Sequence, residues 1–424
     1  MALKHDGVRP SDRWRDVARA TGLLSPDGTA RATIFAEMSA LATRTGALNL
    51  GQGFPDIDGP DAVKRAAMDA IAGGVNQYPP GPGTLELRAA IAAHQDRHYG
   101  LDVNPDTEVL VTAGATEAIA AAVLALAGPG DEVLTLEPFY DSYAAVIALA
   151  GATHTTAALL PTPDGFRLDE TALRAAFSPR TRIVLVNTPH NPTGAVLTRA
   201  ELELIARLAV DHDSLVVTDE VYEHLVYDDA VHVPVATLPG MAERTLTISS
   251  AGKTFSFTGW KVGWVCGPAP LVEAVRTVKQ FLTYVNGAPF QPAVALALGL
   301  ETTDDAEAGW VHDLASSLAA RRDVLGAGLE AAGFDVLRPQ GTYFVVADGA
   351  PLLAGPLASL GLADGAALCR RLPELAGVVG VPVSAFTLPG SDADAALRTC
   401  VRFTFVKNED VLTEAVRRLA RLGR

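Results

Sequence analysis

Cysteine is scarce in this chain. Cys266, Cys369 and Cys400 are scattered and odd in number, which excludes a disulfide framework and a cysteine-based metal knuckle. Basic residues are outnumbered, 34 lysines and arginines against 49 aspartates and glutamates, and no long basic run occurs. The resulting net charge of −15 argues against nucleic acid as a partner. Long apolar runs are missing too. The longest uncharged one, Ala118 to Gly128, is too short to span a bilayer, so no membrane partner is expected. Met1 to Ala20 is charged throughout and lacks the apolar core of a secretory signal. A cytoplasmic enzyme fits these absences.

Several familiar motifs are also lacking. There is no internal repeat and no low-complexity segment. Gly51-Gln52-Gly53-Phe54-Pro55 has no third glycine and no clear strand leading into it, so a dinucleotide site of the Rossmann type is not supported. Gly81-Pro82-Gly83 reads as a turn and not as a nucleoside triphosphate loop. His94 and His98 stand four apart on a polar helical stretch, without a glutamate beside His94 or a third ligand in sequence. They read as surface residues, and no metal site is expected.

What is present is an alternation of short apolar, β-branched runs with helical stretches. Strands are expected at Val109 to Thr112, Glu132 to Leu136, Arg182 to Val186, Leu215 to Thr218, Arg244 to Ile248 and Val262 to Cys266. Helices are expected between them at Thr116 to Ala127, Ser142 to Ala150 and Arg199 to Asp211. This pattern implies an α/β fold with a mostly parallel sheet covered on both faces. After about residue 290, helical stretches precede short strands at Phe334 to Leu337, Tyr343 to Ala347 and Cys400 to Phe405, and a last helix runs from Glu409 to Leu422. That reads as a smaller α+β unit. The first fifty residues hold one helical stretch, Ile34 to Arg44, and are expected to pack on the C-terminal unit. The division expected is a large domain over 53–294 and a small one from 1–52 with 295–424.

In an open α/β sheet, ligands sit at the carboxyl ends of the strands. The most telling strand end is Ser249 to Trp264. Lys253 follows an apolar run and small polar residues, where desolvation makes an amine nucleophilic toward aldehydes. Ser250 and Lys261 are suited to hold a phosphate beside it. Ala113-Gly114-Ala115-Thr116-Glu117 opens a helix and bares backbone N–H groups that suit an anion, or else is simply capped by Thr116. Phe139 and Tyr140 follow a strand, where an aromatic either stacks on a planar ligand or packs in the core. The rigid turn Asn187 to Gly194 presents Asn191; His190 beside it reads as structural. Asp219 directly follows a buried strand. It either finds a cationic partner, such as a protonated ring nitrogen, or caps a helix.

In this order, the segments resemble the class I aminotransferases, the fold-type I enzymes that use pyridoxal 5′-phosphate. The resemblance covers roughly Thr33 to the C-terminus. It rests on Asn49 to Asp56, Tyr78-Pro79, His190 to Gly194, Asp219 to Tyr222 and the lysine stretch. It implies a large domain with a mostly parallel seven-stranded sheet sandwiched by helices, plus a smaller α+β domain. It implies that Lys253 is the Schiff-base lysine and proton shuttle, and that Asp219 partners the pyridine nitrogen. Tyr222 and Asn191 would bond the ring 3′-oxygen, and Phe139 would stack on the ring. Ala115, Thr116, Ser250 and Lys261 would form the phosphate cup. Tyr78 would reach the phosphate of a neighbouring subunit, so a homodimer is implied. Arg402 would clamp the substrate α-carboxylate, helped by the Gly53 N–H. Phe35 either lines the side-chain pocket or is a helix core residue.

Two departures separate the chain from the aspartate branch of that family. Lysine stands at 261 where that branch has arginine, and the segment Gln280 to Asn286 holds no second arginine for a dicarboxylate side chain. The glycine and lysine motifs look most like two groups. One comprises the kynurenine, glutamine and methionine aminotransferases. The other comprises the actinobacterial enzymes assigned to N-succinyl-LL-2,6-diaminopimelate in lysine biosynthesis, toward which Phe35 to Ala42 and Asn76 to Gly83 lean. The expected reaction is ping-pong transamination with 2-oxoglutarate as acceptor. β-Elimination from cysteine conjugates is the rival within enzymes. A regulator with an aminotransferase-like sensing domain is the rival outside them, but it would need an N-terminal DNA-binding domain.

Overall fold

The computed structural model describes residues 12–163 and 165–423; the first eleven residues of the charged N-terminal stretch lie outside it. Its centre is a sheet of eight strands. In spatial order these are Val109–Thr112, Gly263–Cys266, Thr245–Ser250, Leu215–Asp219, Thr181–Asn187, Glu132–Glu137, Thr153–Thr162 and Gly165–Leu168. The five from Thr245–Ser250 to Thr153–Thr162 run parallel, and Gly263–Cys266 and Gly165–Leu168 pair antiparallel with their neighbours. The expected α/β class holds, with one strand more than the seven expected. Thr153–Thr162 carries threonines, a histidine and a proline, Gly165–Leu168 is short and holds an arginine, and the first is only half buried. At the margin of a sheet such composition suffices, because only part of each strand meets the core.

Strand alternation builds two cores. Ile183 and Leu185 face one side with Val217, Ile248 and the alanines of the Gly114–Leu126 helix. Val184 and Val186 face the other with Leu134, Val216 and Leu202, Ile205 and Leu208 of the Arg199–Asp211 helix. That helix starts at a capping box, with the Thr198 and Glu201 side chains each bonded to the other residue's backbone N–H. The helix Phe290–Gly299 spans the expected domain boundary and packs Ala295, Ala297 and Leu298 against the core of Leu87, Ile91 and Trp264.

The C-terminal region forms a four-stranded antiparallel sheet, Asp335–Leu337, Phe344–Asp348, Cys400–Thr404 and Val381–Pro382 in spatial order. The Trp310–Ala331 and Glu409–Leu419 helices cover it through Leu318, Leu325, Leu329 and Leu412. Residues Ile34–Thr45 and Leu48–Asn49 join this unit, the latter pairing parallel with Val378–Val379. A second N-terminal helix, Arg13–Ala20, escapes notice in the sequence because it is strongly charged and buries only Ala18. It packs on the Ser142–Ala150 helix of the large sheet, where the whole N-terminal stretch was expected on the C-terminal unit.

One close approach fixes the sheet against the helix that opens the site. A Cβ on Gly263 would lie 2.7 Å from both Ala115 N and Gly114 C. Gly263→Ala should therefore lower unfolding free energy by about 1–3 kcal/mol, the usual cost of overpacking. Urea titration measures it, and an unchanged midpoint would contradict the contact.

Candidate active site

The carboxyl ends of the large sheet and the edge of the second sheet enclose a cavity of about 520 Å³, within the range of small-molecule sites. Strand ends place its polar groups. Asp219 is the last residue of its strand and pairs in register with Asn187 and Ile248. Its carboxylate is buried and accepts a hydrogen bond from Tyr143 Oη at 2.6 Å. Burial pushes the Asp219 carboxyl above the ordinary range, opposed by Tyr143 and by the charge of Lys253. A buried carboxylate facing a cavity in this state is stabilised by a cation brought in with a ligand.

Lys253 sits on the single turn Ala251–Thr254 that follows the Thr245–Ser250 strand. Its Nζ donates to Tyr343 Oη at 2.8 Å, and Tyr343 Oη donates in turn to the Gly53 carbonyl at 2.9 Å. The Lys253 Nζ also lies 5.7 Å from the centre of the Tyr222 ring. Gly53 has no space for a side chain, since a Cβ there would stand 2.5 Å from Tyr343 Cε2. Its backbone is thereby exposed to the cavity.

An anion cradle lies at the start of the Gly114–Leu126 helix. Gly114 has a positive φ of 77°, and Ala115 and Thr116 follow it in the cavity wall. Lys261, itself left-handed at φ 55°, brings Nζ to 3.3 Å from the position a Gly114 Cβ would occupy. Burial and then the charge of Lys253 pull the Lys261 amine below its ordinary range. Ser250 completes this side of the wall. Helix N–H groups, a hydroxyl and a cation together suit a phosphate.

Opposite, Arg402 rises from the Cys400–Thr404 strand. It is only 2 % exposed. Nη1 donates to Asn191 Oδ1 and Nη2 to the Gly51 carbonyl, each at 2.9 Å. The guanidinium lies 4.0 Å from the Phe344 ring centre, 4.7 Å from that of Phe386 and 5.5 Å from that of Phe35. Burial brings its pKa down to about 10, still charged at neutral pH. Its Nε has no partner, so this buried fork retains donors for a carboxylate.

The structure brings together Lys253, Asp219, Tyr222, Asn191, Arg402 and Gly53, together with Phe35, Ala115, Thr116, Ser250 and Lys261. One expected residue is elsewhere. Phe139 does not line the cavity: it is buried in the core beneath, edge-on to His154 at 4.8 Å, while the next residue, Tyr140, turns into the cavity. Tyr78 lies outside this cavity and is 80 % exposed. Tyr143 and Tyr343 were missed, because each meets its partner only through tertiary structure. His190 is a turn residue, buried and bonded through Nδ1 to Thr193 Oγ1 at 2.8 Å. His94 is no surface residue either; it is 3 % exposed and its Nε2 lies 2.7 Å from that of His224.

A lysine, a buried carboxylate, an anion cradle and a buried arginine around one cavity define a transaminase site, and the chain belongs to the aminotransferase class I and II family, whose model matches residues 45–419. It is 58% identical over 395 residues to the probable N-succinyldiaminopimelate aminotransferase of Mycobacterium tuberculosis, covering 92% of this chain and 96% of that one. The solved structure of N-succinyldiaminopimelate aminotransferase from that organism superposes with a TM-score of 0.87 at 56% identity, covering 98% of this chain and 100% of the other. The methionine aminotransferase of Escherichia coli is 38% identical over 392 residues, 92% of this chain and 96% of that one. The protein is a pyridoxal 5′-phosphate enzyme. The residues present fit that group: among the described residues the buried Asp219 carboxylate is in no ion pair, and the glycine-opened helix start and Lys261 line one wall of the cavity.

Because the folded pKa of Asp219 is raised, its stabilising contribution is complete below the unfolded value of 3.8 and is lost as pH rises through the folded value. Cofactor-free Asp219→Asn should therefore melt above cofactor-free wild type at pH 7.5, and the gap should narrow as pH falls toward about 4. Thermal melts across pH test this; a wild type more stable at pH 7.5 would contradict the sign.

Proposed function

We propose that this chain transfers the amino group of an N-succinylated diamino acid, N-succinyl-LL-2,6-diaminopimelate, to 2-oxoglutarate in lysine biosynthesis. The observation that carries transamination is the convergence of Lys253, Asp219 and Arg402 on one cavity. The substrate rests on the near end-to-end similarity to the mycobacterial relative. Arg402 and the Gly53 N–H hold the α-carboxylate of donor and acceptor alike. Bound pyridoxal phosphate supplies the electron sink that stabilises charge at the α-carbon. Lys253 Nζ would move the proton from the substrate α-carbon to the cofactor C4′ carbon, with Tyr343 Oη holding the amine in reach. Asp219, ordered by Tyr143, keeps a proton on the ring nitrogen. Asn191 has its Oδ1 engaged by Arg402, which leaves its amide N–H to bond the ring oxygen with Tyr222. Tyr140, in place of Phe139, covers the ring face. Ala115, Thr116, Ser250 and Lys261 hold the phosphate.

The enzyme acts as a homodimer in this reading. Tyr78 and Phe281, 80 % and 86 % exposed, lie on adjoining segments, with the Tyr78 ring 5.5 Å from that of Tyr284. Such an apolar patch favours a covering partner and would let Tyr78 reach the neighbouring site. The division into 53–294 and 1–52 with 295–424 is retained in outline, with the helix to Gly299 moving with the large unit. Among the described residues no helix is long and apolar enough to cross a membrane, and a cytoplasmic location is proposed. A second reading, a kynurenine, glutamine or methionine aminotransferase with β-lyase activity on cysteine conjugates, is favoured by the aromatic wall of Phe35, Phe54, Tyr140 and Phe344.

Lys253→Ala should remove the visible absorbance of lysine-bound cofactor and slow turnover by at least roughly 10²–10⁴-fold; retained turnover would refute the lysine's role. A donor panel of succinyl-diaminopimelate, kynurenine, methionine and glutamine with 2-oxoglutarate should show kcat/KM highest for the first by about tenfold or more, a margin of ~1.4 kcal/mol. Preference for kynurenine or methionine, or pyruvate release from cysteine conjugates without an oxo acid, would favour the second reading.

A further inference from the structure

Behind the Lys253 turn lies a second polar cluster that transamination does not use. His94 and His98 stand on the Leu85–Tyr99 helix, and His224 on the turn after the Leu215–Asp219 strand. One ring nitrogen from each lies within 4.8 Å of the other two. They surround a void of about 10 Å³, whose wall includes Thr254, next to Lys253, and Glu301. That space is near the minimum for one water or ion and excludes an organic ligand.

Neighbouring groups can free a ring nitrogen on two of these histidines. His98 Nε2 donates to Glu301 Oε1 at 2.7 Å, and Glu301 is held by Arg97 Nε at 2.9 Å. A carboxylate on one ring nitrogen fixes the tautomer and leaves the other as a lone pair, as in carboxylate–histidine–zinc arrangements. The Gln95 amide lies 3.4 Å from His94 Nδ1, and its oxygen has no partner. Turned by half a rotation, that oxygen accepts the Nδ1 proton and frees the Nε2 lone pair. The His94 and His224 Nε2 atoms stand 2.7 Å apart. Tetrahedral zinc with Zn–N near 2.0–2.1 Å needs roughly 3.3 Å, an opening within reach of two side chains beside a void.

We propose that His94, His98 and His224 bind one divalent zinc ion, with the fourth position left to water in the void. Imidazole donors suit zinc and its neighbours over magnesium or calcium. The ion joins the Leu85–Tyr99 helix to the turn carrying Tyr222, against the turn carrying Lys253. It braces the catalytic wall from behind.

The test uses untagged holoenzyme incubated with excess zinc, desalted, and assayed for metal by mass spectrometry and for melting temperature. About one zinc per chain and a higher melting temperature are expected. His98→Asn, at the outer side of the cluster, and His224→Gln should each retain at least tenfold less zinc while keeping the cofactor absorbance and far-ultraviolet spectrum of wild type. Cobalt in place of zinc should give a visible tetrahedral absorption that His98→Asn abolishes. Wild-type holoenzyme without retained zinc, or a folded His98→Asn that retains it equally, would overturn the site and leave a hydrogen-bonded histidine pair. Neither outcome depends on which amino donor the enzyme prefers.

Discussion

The burial of Arg402 is the constraint on which the two parts of this molecule depend. A guanidinium taken out of water must find partners or lose its charge. Here the partners come from both sides: Asn191 from the turn after a strand of the large sheet, and the Gly51 carbonyl from the N-terminal segment that joins the small unit. The cation stacks between Phe344 and Phe386. The residue proposed to bind substrate is thus also a tie between units. Any movement of one sheet relative to the other would be felt at the Arg402 guanidinium.

Both signs of charge meet in the cavity. Arg402, Lys253 and Lys261 bring three cations to the wall, and Asp219 brings the one fully buried carboxylate among its lining residues. The cations match a phosphate and a carboxylate carried in by cofactor and substrate. The carboxylate matches a positive ring nitrogen. The protein alone holds each sign at an energetic cost, and the ligands neutralise both at once. Tyr143 lowers that cost for Asp219 with a single short hydrogen bond.

The polar side of this arrangement was legible in the sequence because Lys253, Asp219, Asn191 and the Ala115–Thr116 turn stand at the ends of strongly apolar strands. Strand ends in a parallel sheet converge on one edge, so local pattern already implies proximity. Phe139 and Tyr140 show where this reading fails. Adjacent residues leaving a strand point to opposite sides, and only the bend beyond it decides which one meets the ligand. Tyr143, Tyr343 and His224 were illegible for another reason. His224 lies 130 residues from His94, and no local signal marks such a meeting. The Arg13–Ala20 helix stayed hidden because its apolar face is a single alanine.

The chain Lys253 to Tyr343 to Gly53 gives the site a direction for protons. The Tyr343 hydroxyl hydrogen is committed to the Gly53 carbonyl, so what it turns toward Lys253 is a lone pair. Tyr343 can therefore steady the amine but has no free proton to lend it, and its phenol oxygen is too weak a base to take one. In the proposed reaction the lysine is left with two exchange partners, the substrate α-carbon and the cofactor C4′ carbon. A proton taken from the first would be held within reach of the second.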